Sequence, residues 1–252
     1  MTLAWDPNQY LKFASARTRA ASDLLARVLL EAPASVVDLG CGPGNSTALL
    51  AARWPQARIT GVDSSPDMLA TARKAMPQLD WLEGDVATWK PEMPVDLLFA
   101  NAVLHWVPDH EILLPRLLGQ LAPGGVLAVQ MPMNHDSPAY RLLREAANRP
   151  GIQNDWHPPR SPENYYRILA PHSASVDLWE TEYLQVMGGV QDLLEWAKGT
   201  VLLPYLEGLD EAATHRLLDR CLEALSRAYA KTPDGKVLFP FRRLFFVAVG
   251  PR

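Results

Sequence analysis

The residues of this chain whose spacing best suits chemistry are three aspartates and a turn with glycine at every second position. The turn reads Asp38-Leu39-Gly40-Cys41-Gly42-Pro43-Gly44-Asn45, directly after the apolar run Val36-Val37. Glycines there let the backbone approach a ligand and take dihedrals that a side chain forbids. A helix opening at Asn45-Ser46 would turn its unpaired N–H groups toward the same ligand. Asp63 follows Gly44 by 19 residues, and Asp85 follows Gly84.

Two ligand classes share such a turn: nicotinamide or flavin dinucleotides, and S-adenosylmethionine. The dinucleotide fingerprint wants a small residue three positions after the second glycine. That position here is Asn45, although Gly44 beside it blurs the count. Asp38 would sit awkwardly beside a pyrophosphate but suits the ammonium of a methionine moiety. Asp63, at a strand end, suits ribose hydroxyls in either class. Asp85 could accept from an adenine amino group, with Val86 against the ring. Cys41 reads as a small turn-filling residue, because no base is placed beside it. No metal-ligand spacing is present, and no metal is expected.

A strand–helix rhythm positions these residues. Val36–Leu39 reads as a buried strand and Asn45–Trp54 as a helix. Arg58–Val62, ending at Asp63, is a second strand. Ser65-Pro66-Asp67 starts another helix, a cap serine followed by proline in the first turn. Trp81–Glu83 is a short third strand, and Val95–Ala100 a fourth of the kind buried on both faces. Leu113, Leu114, Leu117, Leu118 and Leu121 make a helical stripe. Pro123-Gly124-Gly125 leads into a fifth strand, Val126–Met131. Such alternation means a parallel sheet covered on both faces, with ligands at the carboxyl ends of the strands. Those ends carry Asp38–Asn45, Asp63, Asp85, Asn101–Trp106 and Met131–Asn134. Residues 8–30 read as one or two leading helices with Arg17 and Arg19 on the polar side. Past residue 134 the pattern changes to a proline- and aromatic-rich stretch. Two helical patterns follow near residues 190–230, with strand-like runs at Val176–Tyr183 and Val237–Val249. The strands are expected to complete the sheet and the helices to cap the ligand site.

The chain has 252 residues, 48% of them hydrophobic, and a net charge of −4. This suits one large domain and argues against nucleic-acid or membrane-surface partners. Two cysteines are too few for a disulfide framework, so a reducing, cytoplasmic setting is the simple reading. No signal-like or membrane-length apolar segment stands out.

Asp38-Leu-Gly-Cys-Gly-Pro-Gly44, Asp63-Ser-Ser-Pro-Asp-Met68 and Gly84-Asp85 resemble the class I S-adenosylmethionine-dependent methyltransferases. Tyr10-Leu-Lys-Phe13, Arg17-Thr-Arg19, Ala100-Asn-Ala102 and Trp106-Val-Pro-Asp-His110 resemble its trans-aconitate 2-methyltransferase branch. So do Gly125-Val-Leu-Ala-Val-Gln-Met-Pro132, Tyr165-Tyr166, Trp196 and Arg243-Leu-Phe245. The resemblance covers nearly the whole chain. It implies an α/β fold, a doubly wound, mostly parallel, seven-stranded Rossmann-like sheet with a helical cap. Within one domain over 1–252 it implies a helical segment at 1–32 and a cofactor-binding core at 33–133. Cap insertions over 134–236 would hold a sheet strand near 175–183, with a terminal strand at 237–250.

It also implies S-adenosylmethionine as cofactor, leaving S-adenosylhomocysteine. The cofactor set is Asp38, Gly40, Cys41, Gly42, Pro43, Asn45, Asp63, Ser64, Met68, Asp85, Val86, Asn101 and Leu104. Arg17, Arg19, Trp106, Tyr165, Tyr166, Trp196 and Arg243 are implied for substrate, with His105 and Tyr10 as catalytic groups. A small carboxylic acid is the implied acceptor and a monomer or weak homodimer the implied state. Arg242 and Arg243 point to opposite faces of a strand, so at most one serves the site. His110 and His135 read as structural or solvent-facing. A carboxylate is ionised at neutral pH and needs no base, only placement by arginines.

The chain departs from the branch at four places. Leu203 stands where an arginine is typical, Met133 and Ala16 where acids stand, and His105 where glutamine is common. These changes make the acceptor site more apolar. They keep open a less charged acceptor, methylated at oxygen, nitrogen or carbon with His105 as base. A third reading, a cofactor-binding module that serves a partner, has no broken motif to support it.

Overall fold

The computed structural model describes residues 14–149 and 159–251. They divide into two compact units: residues 14–132, 159–181 and 244–251 in one, and residues 133–149 and 182–243 in the other.

The first unit opens with helix α1 (Ala14–Ala26) and then alternates strands with helices. These are β1 (Ser35–Leu39), α2 (Asn45–Arg53), β2 (Arg58–Asp63), α3 (Pro66–Ala75), β3 (Asp80–Glu83), β4 (Val95–Asn101), α4 (His110–Leu118) and β5 (Leu121–Pro132). Strands β1 to β5 pair in parallel, with β1 between β2 and β4. The register sets Leu39 opposite Val62 and Ala100, Asp63 opposite Glu83, and Asn101 opposite Gln130. The carboxyl ends that carry the polar residues therefore form one edge of the sheet. Val36, Leu39, Leu97, Leu98, Phe99 and Leu127 are buried, as strands covered on both faces require.

Local chemistry sets the boundaries. Ser65 accepts from Met68 N at 3.4 Å, with Pro66 in the first turn and Asp67 favourable to the helix dipole. The Asp96 carboxylate accepts from Ala34 N and Ser35 N, fastening the start of β1 to β4. Arg53 donates to the carbonyls of Leu25 and Val28, tying the end of α1 to α2. The same unit holds α6 (Pro162–Leu169), the first half of β6 (Ser175–Met187) and the end of β7 (Val237–Val249).

The sheet has seven strands in the order β3-β2-β1-β4-β5-β7-β6. Gly250 N donates to Gly125 O and Met133 N to Arg242 O, so β7 runs antiparallel to β5. The fold is the expected doubly wound, mostly parallel α/β sheet. Strand β5 starts five residues before Val126. The Pro123-Gly124-Gly125 turn lies inside it, where the pairing with β4 shifts and Gly124 takes φ +73°. Strand β6 runs to Met187, four residues past the expected end.

The second unit contains α5 (Pro138–Ala147), α7 (Val190–Lys198), the short α8 (Leu203–Leu206) and α9 (Glu211–Ala228). Helix α9 buries Leu217, Cys221 and Leu225, and its Arg220 donates to Ala146 O and Ala147 O at the end of α5. Sequence reasoning did not place α5 or α6. Both open on Ser-Pro, at Ser137-Pro138 and Ser161-Pro162, repeating the signal at Ser65-Pro66.

Candidate active site

The glycine turn folds back on β2. Gly40 N and Cys41 N both donate to Val62 O, and Gly44 N donates to Cys41 O. Gly40 takes φ +64°, and a Cβ there would lie 2.3 Å from a Val103 methyl, so backbone approach and dihedral both demand glycine. Gly42 also has a left-handed backbone, at φ +55°, but a Cβ on it would meet nothing within 4 Å among the described residues. The turn is thus closed beneath Gly40 and open above Gly42.

Asp63 fastens this turn to the next helix. Its Oδ2 accepts from Gly42 N at 2.8 Å and its Oδ1 from Ser65 N at 2.9 Å. Burial raises its pKa, and those backbone donors pull it back down. Each carboxylate oxygen keeps acceptor capacity for a further donor.

Asp38 is fully buried. Its Oδ2 accepts from Ser46 Oγ at 2.7 Å and Thr47 Oγ1 at 2.6 Å. Its Oδ1 has no hydrogen-bond partner among the described residues. Burial pushes the carboxyl up to about 7, against the lowering effect of the two hydroxyls; Asp63 adds a small repulsion. An orphaned carboxylate oxygen in such a place calls for a cation or a donor.

A small cleft lies beside the turn, lined by Thr18, Ala21, Gly40, Cys41, Asn45, Ser46 and Asn101. Asn101 Oδ1 is a second buried acceptor lacking a partner among the described residues. Among the described residues, no side chain caps the N-terminus of α2. Thr18 and Ala21 were not singled out by sequence reasoning, and Ser46 only as the start of the helix after the turn. Helix periodicity cannot tell which polar face of α1 turns toward a strand end. Cys41 is buried, and desolvation with two nearby aspartates pushes its thiol far up, leaving it protonated and unreactive.

The remaining expected residues divide between the units. Pro43 and Met68 are buried beside the turn and at the start of α3, while Ser64 is exposed. Asp85 is exposed and accepts from Ala87 N, and Val86 is buried. Arg116 donates to Val86 O and Trp89 O, clamping this loop from α4. Leu104, His105 and Trp106 form a 3₁₀ turn after β4. Leu104 and His105 are buried, and the His105 and Trp106 rings lie 4.9 Å apart.

Tyr165 is fully buried on α6, and its hydroxyl meets His110 Nδ1 at 2.7 Å. His110 Nε2 faces Leu104 O at 2.9 Å, so Nε2 carries the hydrogen and the tyrosine hydroxyl donates. Tyr166, its neighbour, is exposed, as is Arg19. Trp196 and Arg243 are buried in the second unit, while Arg242 is exposed. Tyr10 and the Arg17 side chain lie outside the described residues.

A methyltransferase domain family matches residues 36–125. Over 97% of this chain and 98% of its own length, a trans-aconitate 2-methyltransferase from Azoarcus sp. (strain BH72) is 54% identical. One from Methylobacterium nodulans is 51% identical over 97% of both chains. The chain belongs to the trans-aconitate 2-methyltransferase family. It is an S-adenosylmethionine-dependent methyltransferase. Among solved structures, the YcgJ protein of Bacillus subtilis shares the fold at TM-score 0.61 and 11% identity, covering 93% of this chain and 99% of its own. Haemonchus contortus phosphoethanolamine N-methyltransferase 2, in complex with S-adenosyl-L-methionine, shares it at TM-score 0.60 and 18% identity, over 93% of this chain and 53% of its own. The orphaned Asp38 Oδ1 and the open space above Gly42 fit the cofactor of this methyltransferase: a buried anion for its cationic end and room for backbone contact.

Proposed function

We propose that this methyltransferase methylates a carboxylate of trans-aconitate, or of a related small carboxylic acid, to give a methyl ester. The observation that carries the proposal is the likeness of this chain, over 97% of its length, to relatives bearing that activity's name, with arginines at Arg17, Arg19 and Arg243. S-adenosylmethionine supplies an activated methyl on a sulfonium.

The chain's own residues hold and orient. Asp38 takes the ammonium of the methionine moiety, and Asp63 the ribose hydroxyls. Asp85 and Val86 take the adenine, while Gly40, Cys41, Gly42, Pro43 and Asn45 form the cradle. Ser64, Met68, Asn101 and Leu104 complete the cofactor wall. Arg17, Arg19 and Arg243 bind carboxylates, with Tyr10, Trp106, Tyr166 and Trp196 shaping the acceptor site. The acceptor oxygen is already anionic, so no proton is moved, and the rate comes from alignment and water exclusion.

His105 favours a second reading. It is 5% exposed after β4, in the unit that holds the cleft, where a base could take a proton from an uncharged acceptor. One experiment separates the two: labelled methyl transfer across di- and tricarboxylates and uncharged acceptors, followed by base hydrolysis. Base-labile label on carboxylates, with turnover of His105→Ala undiminished, supports the ester. Base-stable label that vanishes in His105→Ala supports the second reading.

A further inference from the structure

The loop from β4 to α4, residues 102–109, enters and leaves through residues that ordinarily avoid such turns. Ala102 takes φ +57° at one end and Asp109 φ +55° at the other. A left-handed backbone crowds any residue with a Cβ, and alanine has no polar side chain to offset the cost. Strain of this kind persists only where the surroundings impose it. Here both ends of the loop are fastened. Ala102 N donates to Gln130 O of β5. Val103 then packs so closely on the glycine turn that a Cβ at Gly40 would lie 2.3 Å from its methyl. The loop therefore begins against the cofactor turn.

His110 holds the other end. Its Nε2–H donates to Leu104 O at 2.9 Å, and its Nδ1 accepts from the Tyr165 hydroxyl at 2.7 Å. Arg160 N donates in turn to that hydroxyl at 3.3 Å. The three bonds run in one direction and fix one tautomer of the ring. His110 and Tyr165 are both buried, which shields their bond from water. Leu104 O opens the 3₁₀ turn: Val107 N donates to it at 2.8 Å, and Trp106 N donates to Val103 O at 3.0 Å. His105 and Trp106 ride on this turn. Every residue in the set lies in the first unit. A strained loop held by buried bonds has one position rather than several, which is what in-line methyl transfer asks of the groups around the acceptor.

We infer that His110 is a positioning residue of the reaction: locked by Tyr165, it holds Leu104 O and so sets Trp106 and His105 relative to the cofactor turn. The inference rests on the acceptor-site role of Trp106 proposed above. It gives the buried Tyr165 hydroxyl a task away from the acceptor itself.

The test is a double-mutant cycle of Tyr165→Phe and Trp106→Ala, read by labelled methyl transfer to trans-aconitate. Tyr165→Phe removes the donor to Nδ1, frees the ring to change tautomer and releases Leu104 O. It should lower kcat about tenfold, the effect of about one hydrogen bond lost from alignment. S-adenosylhomocysteine affinity should stay within about twofold, because Val103 still rests on Gly40. In the Trp106→Ala background the same change should move kcat less than about twofold, while it lowers the melting temperature equally in both backgrounds. Hydrogen exchange supplies a second readout. The Trp106 and Val107 amides should exchange about tenfold faster in Tyr165→Phe, over and above any change in the amides of β4. An equal loss of kcat in both backgrounds, or none in either, overturns the inference and leaves the carboxylate reading standing. If the parent protein esterifies no carboxylate, that reading fails; in that case, or where Trp106→Ala is too slow to follow, exchange decides. Trp106 and Val107 amides that keep the parent's rate overturn the inference, and faster ones support it.

Discussion

Replacing Asp38 by asparagine should make the cofactor-free protein more stable at alkaline pH and its cofactor binding weaker. Asp38 is fully buried with a carboxyl pushed up to about 7. In the unfolded chain it ionises near its ordinary value of 3.8. Between these values the folded state holds a proton that the unfolded state has released, so stability falls as pH rises through the window. At about 1.4 kcal/mol per pH unit, the loss between pH 5 and pH 8 is about 3 kcal/mol. For a chain of this length that is about 6–12 °C in melting temperature. Asparagine mimics the protonated acid and can still accept from Ser46 and Thr47, so at pH 5 the two proteins should melt close together. By pH 8 the variant should lead by about 3 kcal/mol. The cationic ligand reverses the preference, because it favours the ionised acid. S-adenosylhomocysteine should bind the variant about 10- to 100-fold more weakly, the range for one charge-assisted bond. Binding to the parent near pH 6 should release up to one proton, seen by calorimetry in buffers of different ionisation enthalpy. A parent–variant gap in melting temperature that stays constant from pH 5 to pH 8 would refute the reasoning, since it would show that Asp38 does not titrate in this window.

Other perturbations test the surrounding scaffold. Tyr165→Phe strands His110 Nδ1 without its donor inside the first unit and should cost about 1–3 kcal/mol of stability in denaturant melts. Gly42→Ala puts a side chain at φ +55° into open space. It should cost about 1–2 kcal/mol of stability, whereas S-adenosylhomocysteine affinity drops further because the methyl occupies the ligand's approach. An equal loss in ligand-free melts and in affinity would argue against contact at Gly42. Arg116→Met removes both donors to Val86 O and Trp89 O and should weaken S-adenosylhomocysteine about tenfold by titration, a change of about 1.4 kcal/mol, through a loosened adenine loop.

Sequence periodicity and turn chemistry settled much of this protein. Four strand–helix repeats dictate a parallel sheet, and parallel sheets bind ligands at one edge. The alternating glycines carried their own evidence, since only glycine tolerates the left-handed backbone and the close approach of Val103 to Gly40. Ser65-Pro66 marked a helix start, and the same pair marks α5 and α6, so those elements were legible too, though hidden by a proline-rich composition. Residue type alone could not say what each polar group already holds. Asp38 is spoken for on one oxygen by Ser46 and Thr47 and orphaned on the other. The Tyr165 hydroxyl, expected at the acceptor, is engaged by His110, 55 positions away in the chain. Local sequence determines backbone preference and which face is apolar. Which hydrogen-bonding groups remain unsatisfied depends on partners brought from far along the chain and on the exclusion of water around them, and the tertiary structure alone decided that.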